Sequence, residues 1–456
     1  MTAWDAIVVG SGFGGAVAAG RLAERGLTVL VLERGAWWDR GTGAVRGVGQ
    51  ALRGVRYSVG SRARSLRVRR GGLYEVNQFD HLTCVVASGV GGGSLVYTDV
   101  QVQPPDHCFE AWPAEITGAH MRPYFDKVRE MLSPAPVSVV SSEVRAFEQA
   151  ARRAGHDGLR RPDLAASFDG GAYRRTTLDT THLPLAVRHG ATVRALTEVT
   201  AIDRSHRAWR VRCRDLETGR TRIESAPRLV LAAGTLGTLR LLFAARDRHR
   251  TLTGLGPGLG RGFTPNGDTI GLVRASSGRT RGGRPPISAY RADTLGGREL
   301  LTAEVGFPLP RFPFPRAGSP FLPAVTALFS MGADHIATDV DYNGRDLRIT
   351  TSRDDDPDFF DRAREHAIGI GKGYNAGGVT TNVPFRGRGL FTVHPLGGAR
   401  VSTGPEDGVV DHVGEVHGHP GLFVADGSVL PAAPGIPPSM TIAAFAERQA
   451  ALIADR

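Results

Sequence analysis

Short apolar runs alternate with glycine-rich turns at the start of the chain. Residues 6–9 are all apolar and lead into Gly10, and residues 27–33 form a second, mainly apolar run, so both predict buried parallel strands. Between them, residues 12–25 place apolar and small side chains at helical spacing, and Gly26 is a typical helix end. The pattern predicts a complete βαβ unit at the N-terminal end of the sequence.

Strand patterns return further along the chain after a region of different texture. Residues 40–80 are dominated by Gly, Arg and Ser and have a weak apolar pattern, which predicts a lid or loop excursion. Further strands are predicted at 82–86, 192–202, 209–212, 228–233 and 421–425, and helices at 112–133, 236–245, 357–371 and from near Thr441.

Composition indicates an ordinary cytoplasmic protein of two or three domains. The 456 residues carry a formal net charge of +11, and arginine supplies nearly all the basic side chains because the chain has only Lys127 and Lys372 as lysines. No apolar run approaches the roughly 18 residues of a membrane span, and the first residues lack the pattern of a secretory signal. Cys84, Cys108 and Cys213 have no C-x-x-C spacing, which argues against a disulfide scaffold and fits a reducing compartment.

The first turn carries the motif Gly10-x-Gly12-x-x-Gly15, with Gly14 as an extra glycine. Gly10 allows the tight turn, Gly12 lets the backbone approach a pyrophosphate at the helix N-terminus, and Gly15 permits close packing of helix and strand. Glu33 ends the second strand, where an acid accepts a hydrogen bond from a ribose 2′-hydroxyl. These features predict a dinucleotide site without a 2′-phosphate, and they do not distinguish FAD from NAD.

Two further segments suit such a site. Residues 89–94 form a second glycine cluster directly after the strand predicted at 82–86. The strand at 421–425 closes on Asp426-Gly427, where a carboxylate suits a ribityl hydroxyl or a water bound to the pyrophosphate. A simple turn is the alternative for this dipeptide, and taken alone the dipeptide favours the turn.

Together, five blocks resemble the glucose–methanol–choline (GMC) family of oxidoreductases, in its cholesterol oxidase-like branch. The blocks are residues 9–15, 89–96, 231–238, 265–267 and 394–398, the last followed by 421–430 and 441–448. The resemblance implies an α/β fold (α+β overall), with a Rossmann-type FAD-binding domain and a discontinuous antiparallel-sheet substrate domain. It assigns residues 1–110, 185–270 and 385–456 to the FAD-binding domain, and residues 111–184 and 271–384 to the substrate domain.

The resemblance also implies which residues bind FAD. Val96 replaces the histidine that tethers FAD in some members of the family, so non-covalent FAD is expected. The expected cofactor-binding residues are Gly10, Ser11, Gly12, Phe13, Gly14, Gly15, Glu33, Arg34, Ser88, Gly92, Gly93, Ser94, Val199, Ala233, Gly234, Asp426, Gly427, Pro438, Ser439 and Met440.

His394 is the expected catalytic base. It begins the block His-Pro-Leu-Gly-Gly, which matches the family's catalytic histidine motif, and an imidazole can take the hydroxyl proton of an alcohol while FAD takes a hydride at N5. A buried structural histidine is the alternative. The nearby His412, His417 and His419 lie in a Gly-rich, charged segment and are expected to face solvent, and no spacing predicts a metal site.

The sequence departs from the family beside this histidine. The family has an Asn or His just before a proline ahead of the last helix, and here that residue is Pro437, which has no N–H to donate. The second polar contact to the substrate hydroxyl is therefore missing or comes from elsewhere. Tyr97, where cholesterol oxidases carry an Asn near the flavin, is a candidate for catalysis; packing against the ring is its alternative role.

The substrate expected from these features is an apolar small molecule. The stretch that matches the isomerising glutamate of cholesterol oxidases, residues 319–325, contains no acid, so a sterol is disfavoured against other polycyclic, terpenoid or polyketide-like alcohols of secondary metabolism. The alternative is a flavin scaffold retooled for cyclisation, isomerisation or dehydrogenation, because Pro437 replaces the usual partner.

An arginine run between residues 53 and 70 contains no acid. The simplest interpretation is a solvated loop, and a basic rim for an anionic or carrier-tethered substrate is the alternative. Nucleic-acid binding is not expected, because no aromatic stacking pattern interleaves the arginines.

Overall fold

The computed structural model describes residues 4–38, 55–60, 65–68, 72–138, 140–156, 158–169, 173–274, 287, 289–305, 325–374, 379–381 and 389–454. Its α-helices are α1 Phe13–Glu24, α2 Gly118–Leu132, α3 Ser142–Arg153, α4 His182–Arg188, α5 Thr235–Phe243, α6 Pro357–Gly373 and α7 Ser439–Ile453.

The strands follow one another along the chain as β1 Ala6–Val9, β2 Val29–Leu32, β3 Val55–Gly60, β4 Ser65–Val68, β5 Tyr74–Gln78, β6 Leu82–Ala87, β7 Ala135–Pro136, β8 Asp163–Leu164, β9 Ala166–Ser167, β10 Arg174–Arg175, β11 Thr192–Arg194, β12 Thr197–Ser205, β13 Ala208–Asp215, β14 Thr221–Ala226, β15 Arg228–Leu231, β16 Thr269–Arg274, β17 Tyr290–Leu295, β18 Arg298–Val305, β19 Val325–Gly332, β20 Val340–Tyr342, β21 Leu347–Ile349, β22 Val379–Thr381, β23 Leu390–Thr392 and β24 Leu422–Val424.

A five-stranded parallel sheet is built from strands far apart in the sequence. Its order is β11-β2-β1-β15-β24, and every residue of β1, β2 and β24 is buried, as expected of strands covered on both faces. Helix α1 connects β1 to β2 and packs closely, because a Cβ on Gly15 would lie 2.1 Å from the carbonyl oxygen of Gly10. The predicted βαβ unit is confirmed, with its second strand beginning at Val29.

An antiparallel sheet with the order β17-β18-β19-β16-β22 forms the second large unit. Side chains alternate between its faces, as the two-residue period of a strand requires. Val273 and Leu328 pack on one face in a cluster with side chains from α3 and α6. Phe329 and Met331 belong to a different cluster. The sheet thus has one face under helices and one face toward the cavity described below.

A third sheet, β23-β6-β5-β3-β4, includes much of the predicted lid. Strands β3, β4 and β5 lie within residues 40–80, so the predicted loop excursion is partly strand. Pairing of β5 with β6, and of β3 with β5, supplies the backbone hydrogen bonds that the weak apolar pattern did not reveal. The rest of the arginine-rich stretch lies outside the described residues, and so does 319–324.

Helix α2 shows how the segments of the chain interlock. It begins at Gly118, six residues later than expected, because the side chain of Thr117 caps it by accepting from the N–H of His120. It packs against α7, and Phe125 is fully buried there in the core shared with the parallel sheet. The division into two domains stays a prediction. No described helix has the length and apolarity needed to cross a membrane.

Candidate active site

A cavity of about 800 Å³ opens where the carboxyl ends of β1, β2, β15 and β24 approach the antiparallel sheet. Ligands of open α/β sheets bind at this edge. The cavity brings together most of the residues expected from the sequence: Gly10, Ser11, Gly12, Phe13, Gly14, Glu33, Arg34, Ser88, Gly92, Gly93, Tyr97, Val199, Ala233, Gly234, His394, Asp426, Gly427, Pro438 and Ser439.

Gly15, Ser94 and Met440 are not among the residues that line it. Gly15 provides the close helix–strand packing described above. The buried Ser94 hydroxyl donates to the carbonyl of Gly91 (2.7 Å) and accepts from the N–H of Leu178 (3.0 Å), so it holds the second glycine segment in place. Met440 is fully buried in the first turn of α7. The three residues thus belong to the packing behind the cavity wall.

The two glycine segments meet backbone to backbone in the cavity. A Cβ on Gly92 would lie 2.5 Å from the Cα of Gly12, and Gly92 has a φ of +53°, so glycine is required there on both counts. No side chain caps α1 and no acid lies in its first turn. The first N–H groups of the helix, at Gly12, Phe13 and Gly14, therefore form an anion-binding edge of the cavity.

The acid at the end of β2 is fixed by protein donors. One carboxylate oxygen of Glu33 accepts from the Ser11 N–H (2.9 Å) and hydroxyl (2.8 Å), and the other accepts from the Gly35 N–H (2.7 Å). Burial raises the pKa of Glu33 above its usual value, and these hydrogen bonds oppose the shift. Its neighbour Arg34 pairs with Glu75. Glu33 is thus held in place, with acceptor capacity left for a ligand hydroxyl.

Asp426 organises the turn after β24. One of its oxygens accepts from the N–H (2.9 Å) and hydroxyl (2.6 Å) of Ser428, and the other accepts from the Thr238 hydroxyl (2.5 Å). Burial raises the pKa of Asp426, against the effect of these hydrogen bonds. The carboxylate ties the turn to helix α5 and puts Gly427 at the cavity wall.

Helix α7 begins at the wall of the cavity. Its N-cap, Pro438, makes no side-chain cap, and no acid lies in its first turn. The Ser439 hydroxyl is buried and has no hydrogen-bond partner among the described residues, and Ser439 lines the cavity. An orphaned buried hydroxyl at an uncapped helix N-terminus suits a polar, electron-rich group of a ligand.

His394 is fixed by a carboxylate that the sequence analysis did not identify. Its Nδ1 lies 3.0 and 3.1 Å from the two oxygens of Asp268, whose side chain is fully buried. The Thr392 hydroxyl and the Val393 N–H donate to the same carboxylate at 2.8 and 2.9 Å. A carboxylate that accepts from Nδ1–H leaves the lone pair of a neutral imidazole on Nε2, the nitrogen that can accept a proton.

Asn266 fixes the segment that contains Pro437. Its amide N–H donates to the Ile436 carbonyl (3.1 Å), and its carbonyl oxygen accepts from the Gly435 N–H (3.2 Å). Pro437 itself lines the cavity, as the motif match implied, and brings no donor to it. The side chain of Asn266 is committed to this segment and does not replace the missing partner of His394.

The Tyr97 hydroxyl is engaged elsewhere. It donates to the carbonyl of Thr176 at 2.6 Å, and its ring packs edge-on against Phe13, with the centroids 5.4 Å apart. Its single proton is used in that hydrogen bond. The catalytic role of Tyr97 stays a prediction.

The wall near His394 is apolar. The Phe329 ring packs edge-on against the imidazole with the centroids 6.1 Å apart. The other side chains of this wall are Ile270, Val305, Ala327, Met331 and Phe391. His412, His417 and His419 do not line the cavity. They were expected to face solvent, but they are half-buried: His417 lies 3.2 Å from the Ser402 hydroxyl, and His419 packs on Trp209.

The sequence matches two family profiles, both described as GMC oxidoreductase, over residues 4–245 and 382–446. The first alone covers more than half of the chain. This chain belongs to the GMC oxidoreductase family. The resemblance drawn from the five blocks is therefore confirmed, and this GMC oxidoreductase belongs to a class of FAD-dependent alcohol oxidases and dehydrogenases.

Relatives of this GMC oxidoreductase match it from end to end. A cholesterol oxidase of Mycobacterium tuberculosis is 27% identical over 98% of this chain and 91% of its own length. A cholesterol oxidase of Acinetobacter baumannii is 23% identical over 98% of this chain and 93% of its own length. The structure of formate oxidase from Aspergillus oryzae RIB40 has the same fold, with a TM-score of 0.70 at 16% identity, covering 99% of this chain and 98% of its own.

The cavity of this GMC oxidoreductase fits FAD. The uncapped N-terminus of α1 and the close approach of Gly12 and Gly92 suit a pyrophosphate, and Glu33 suits a ribose hydroxyl. The orphaned Ser439 hydroxyl at the N-terminus of α7 suits the polar edge of a flavin ring. The acids, glycines and helix ends thus form a site for an extended dinucleotide.

Proposed function

We propose that the protein oxidises a hydroxyl group on an apolar small molecule, with His394 as general base and non-covalently bound FAD as oxidant. Bound FAD would supply the two-electron acceptor for the hydride on the carbon that bears the hydroxyl. The hydroxyl proton goes to Nε2 of His394, and the alcohol becomes a carbonyl compound. Val96, at the position of the tethering histidine in some relatives, lines the cavity and offers no nucleophile for a covalent bond to FAD.

Asp268 prepares His394 for this role as a positioning residue. Its buried carboxylate keeps the ring in the tautomer that accepts at Nε2, and it favours the imidazolium that forms when the proton arrives. The donors from Thr392 and Val393 keep the carboxylate in place. A buried ionised group needs such hydrogen bonds to remain charged.

The apolar wall supports the proposed substrate class. Phe329 and Met331 project from the antiparallel sheet into the cavity that His394 lines, and wall residues of this kind favour an apolar body over a charged one. Relatives named cholesterol oxidase and long-chain-alcohol oxidase act on apolar alcohols by their names. We propose polycyclic, terpenoid or polyketide-like alcohols as the first candidate substrates, and an anionic or carrier-tethered substrate as the second.

The observation that best supports this function is that His394, held by Asp268, lines the same cavity as the glycine turn and the N-terminus of α7. The test combines a visible spectrum of the purified protein with a panel of apolar alcohols scored by loss of flavin absorbance. His394→Asn should keep bound flavin and lose about 10²- to 10⁴-fold in kcat, the usual contribution of a general base. Turnover at the parent rate by this variant would refute the assignment of His394 as the base. A purified protein without flavin absorbance would contradict the proposed FAD cofactor.

A second function has one observation in its favour. Pro437 occupies the position of the usual Asn or His partner and lines the cavity without a donor. We propose as the alternative that the same scaffold carries out a cyclisation, isomerisation or dehydrogenation. Anaerobic mixing with a substrate separates the cases: bleaching with carbonyl product supports alcohol oxidation, bleaching with a new carbon–carbon double bond supports dehydrogenation, and product without bleaching supports a redox-neutral reaction.

A further inference from the structure

Three side chains with metal-binding atoms meet at the outer edge of the antiparallel sheet. His156 follows α3, Asp293 lies on the edge strand β17, and His366 lies on α6. One ligand atom from each lies within 4.8 Å of the others. None of the three lines the cavity described above. The cluster is therefore separate from the candidate active site, and its members are too far apart in sequence to form a spacing motif.

Two atoms of this cluster are buried without hydrogen bonds. The side chains of His366 and Asp293 are only 4% and 10% exposed. His366 Nε2 and Asp293 Oδ2 lie 3.2 Å apart, yet neither makes a hydrogen bond with any described group. Buried polar atoms nearly always have a partner, because an unpaired one costs free energy. Two such atoms facing each other indicate that a third species belongs between them.

The charge state of the cluster suits a cation. Burial lowers the pKa of His366 to about 4, and it also lowers the pKa of the more exposed His156. Neutral imidazole is the form that binds metal ions. The guanidinium of Arg291 donates to the other carboxylate oxygen of Asp293 at 2.5 Å. Arg291 is the charged neighbour that opposes a cation, but it also holds the carboxylate with Oδ2 toward the histidines.

We propose that His156, Asp293 and His366 bind one divalent transition-metal ion, with Zn²⁺ as the ion that this donor set favours. Two imidazoles and a carboxylate are typical ligands of zinc, whereas calcium and magnesium prefer oxygen alone. Ligand atoms about 2.0–2.1 Å from a tetrahedral zinc lie about 3.3 Å from one another. The 3.2 Å between His366 Nε2 and Asp293 Oδ2 matches that separation.

The ion would join three elements of the fold. It would tie the edge strand β17 to α6 and to the segment after α3, with a water as fourth ligand on the more exposed side at His156. Because the ion binds the folded chain, it stabilises that state by mass action. The role of the site is thus to stabilise the outer edge of the antiparallel sheet, independently of the proposed oxidation chemistry.

The test uses the full-length, flavin-loaded protein after treatment with EDTA and removal of the chelator. Calorimetric titration with ZnCl₂ should give one ion per chain. Free zinc at a hundredfold excess over Kd should raise Tm by about 3 °C for a chain of this length. The absence of saturable zinc binding would overturn the proposal.

Three variants locate the ion. His156→Asn, Asp293→Asn and His366→Gln should each weaken zinc binding at least about tenfold and remove the zinc-dependent rise in Tm. His156→Asn changes the most exposed ligand and keeps the test open if a buried variant does not fold. The matched control is His419→Gln, which changes a half-buried histidine outside the cluster and should bind zinc like the parent. Equal zinc binding by parent and all ligand variants would mark the zinc as adventitious and refute the site.

Discussion

Replacing Asp268 by Asn is the sharpest single perturbation of the proposed mechanism. Asn has nearly the same shape, so packing around the buried carboxylate is preserved. The Thr392 hydroxyl and Val393 N–H both donate to one oxygen of Asp268, so the amide oxygen must take that position. The amide NH₂ then faces Nδ1 of His394, which lay 3.0 Å from the other oxygen. An NH₂ donor there favours the tautomer with the ring proton on Nε2, which blocks the nitrogen that accepts the substrate proton. The amide oxygen, 3.1 Å from Nδ1, can still accept from Nδ1–H, but it lacks the negative charge that stabilises an imidazolium.

The size of the effect follows from two terms. A hydrogen bond to a charged group contributes about 1.5–3 kcal/mol, and its loss from the imidazolium form alone slows proton transfer about 10- to 150-fold. Loss of the general base itself is bounded by its usual contribution of about 10²–10⁴. We therefore expect Asp268→Asn to lower the rate of flavin reduction at least about 100-fold, with the flavin still bound.

The assay is anaerobic rapid mixing of the flavin-loaded protein with an alcohol from the substrate panel, following the loss of flavin absorbance. The control is Asp356→Asn, the same change at another buried acid, which accepts from the His335 N–H at 2.9 Å, caps α6 and does not line the cavity. The control should reduce flavin within about threefold of the parent, as expected for a site outside the chemistry. Flavin reduction by Asp268→Asn at the parent rate would refute the assigned role of the carboxylate.

Three further predictions test other parts of the structure. Gly92→Ala should be purified without flavin absorbance, because the added Cβ would lie 2.5 Å from a backbone atom of Gly12. The control Gly369→Ala adds a Cβ into open space on a helix and should keep the flavin absorbance. Burial raises the pKa of Asp334 to about 7, so the stability of the native state falls as pH rises from about 4 to 7. Asp334→Asn should make Tm less dependent on pH over that range, whereas Asp341→Asn, at an exposed position, should leave the dependence of Tm on pH as in the parent. Tyr97→Phe removes one hydrogen bond and should lower the free energy of unfolding, measured by denaturant titration, by about 1 kcal/mol. Its turnover should stay close to that of the parent, and a large loss of turnover would instead support a catalytic role for Tyr97.

The nucleotide-binding half was predictable because its signals are local. The glycine turn from Gly10 to Gly15 and the two apolar runs around it lie in one short segment, so strand, turn and helix can be recognised together. The place of His394 in the cavity was predictable from a motif of adjacent residues. The parallel sheet then follows, since uniformly apolar strands must be covered on both faces.

Contacts between distant segments were not predictable in the same way. Asp268 lies 126 residues before His394, and nothing in the sequence around it states what its carboxylate faces. An acid directly after the block at 265–267 was the available signal. The direction of the Tyr97 hydroxyl depends on the carbonyl of Thr176, 79 residues later. Strands β3 to β5 were missed because pairing with neighbouring strands of the sheet, which begins with β5 on β6, stabilises them rather than their own apolar pattern.

The short turn at 264–268 has a consequence for how such a protein can diversify. Asn266 anchors the segment ahead of the last helix, and Asp268 sets the orientation of the imidazole, so two residues of one short turn hold both sides of the proposed reacting centre. The apolar wall comes largely from other strands. Substitutions on those strands, in evolution or in engineering, can therefore change which substrates fit the cavity while the geometry of the reacting centre is kept.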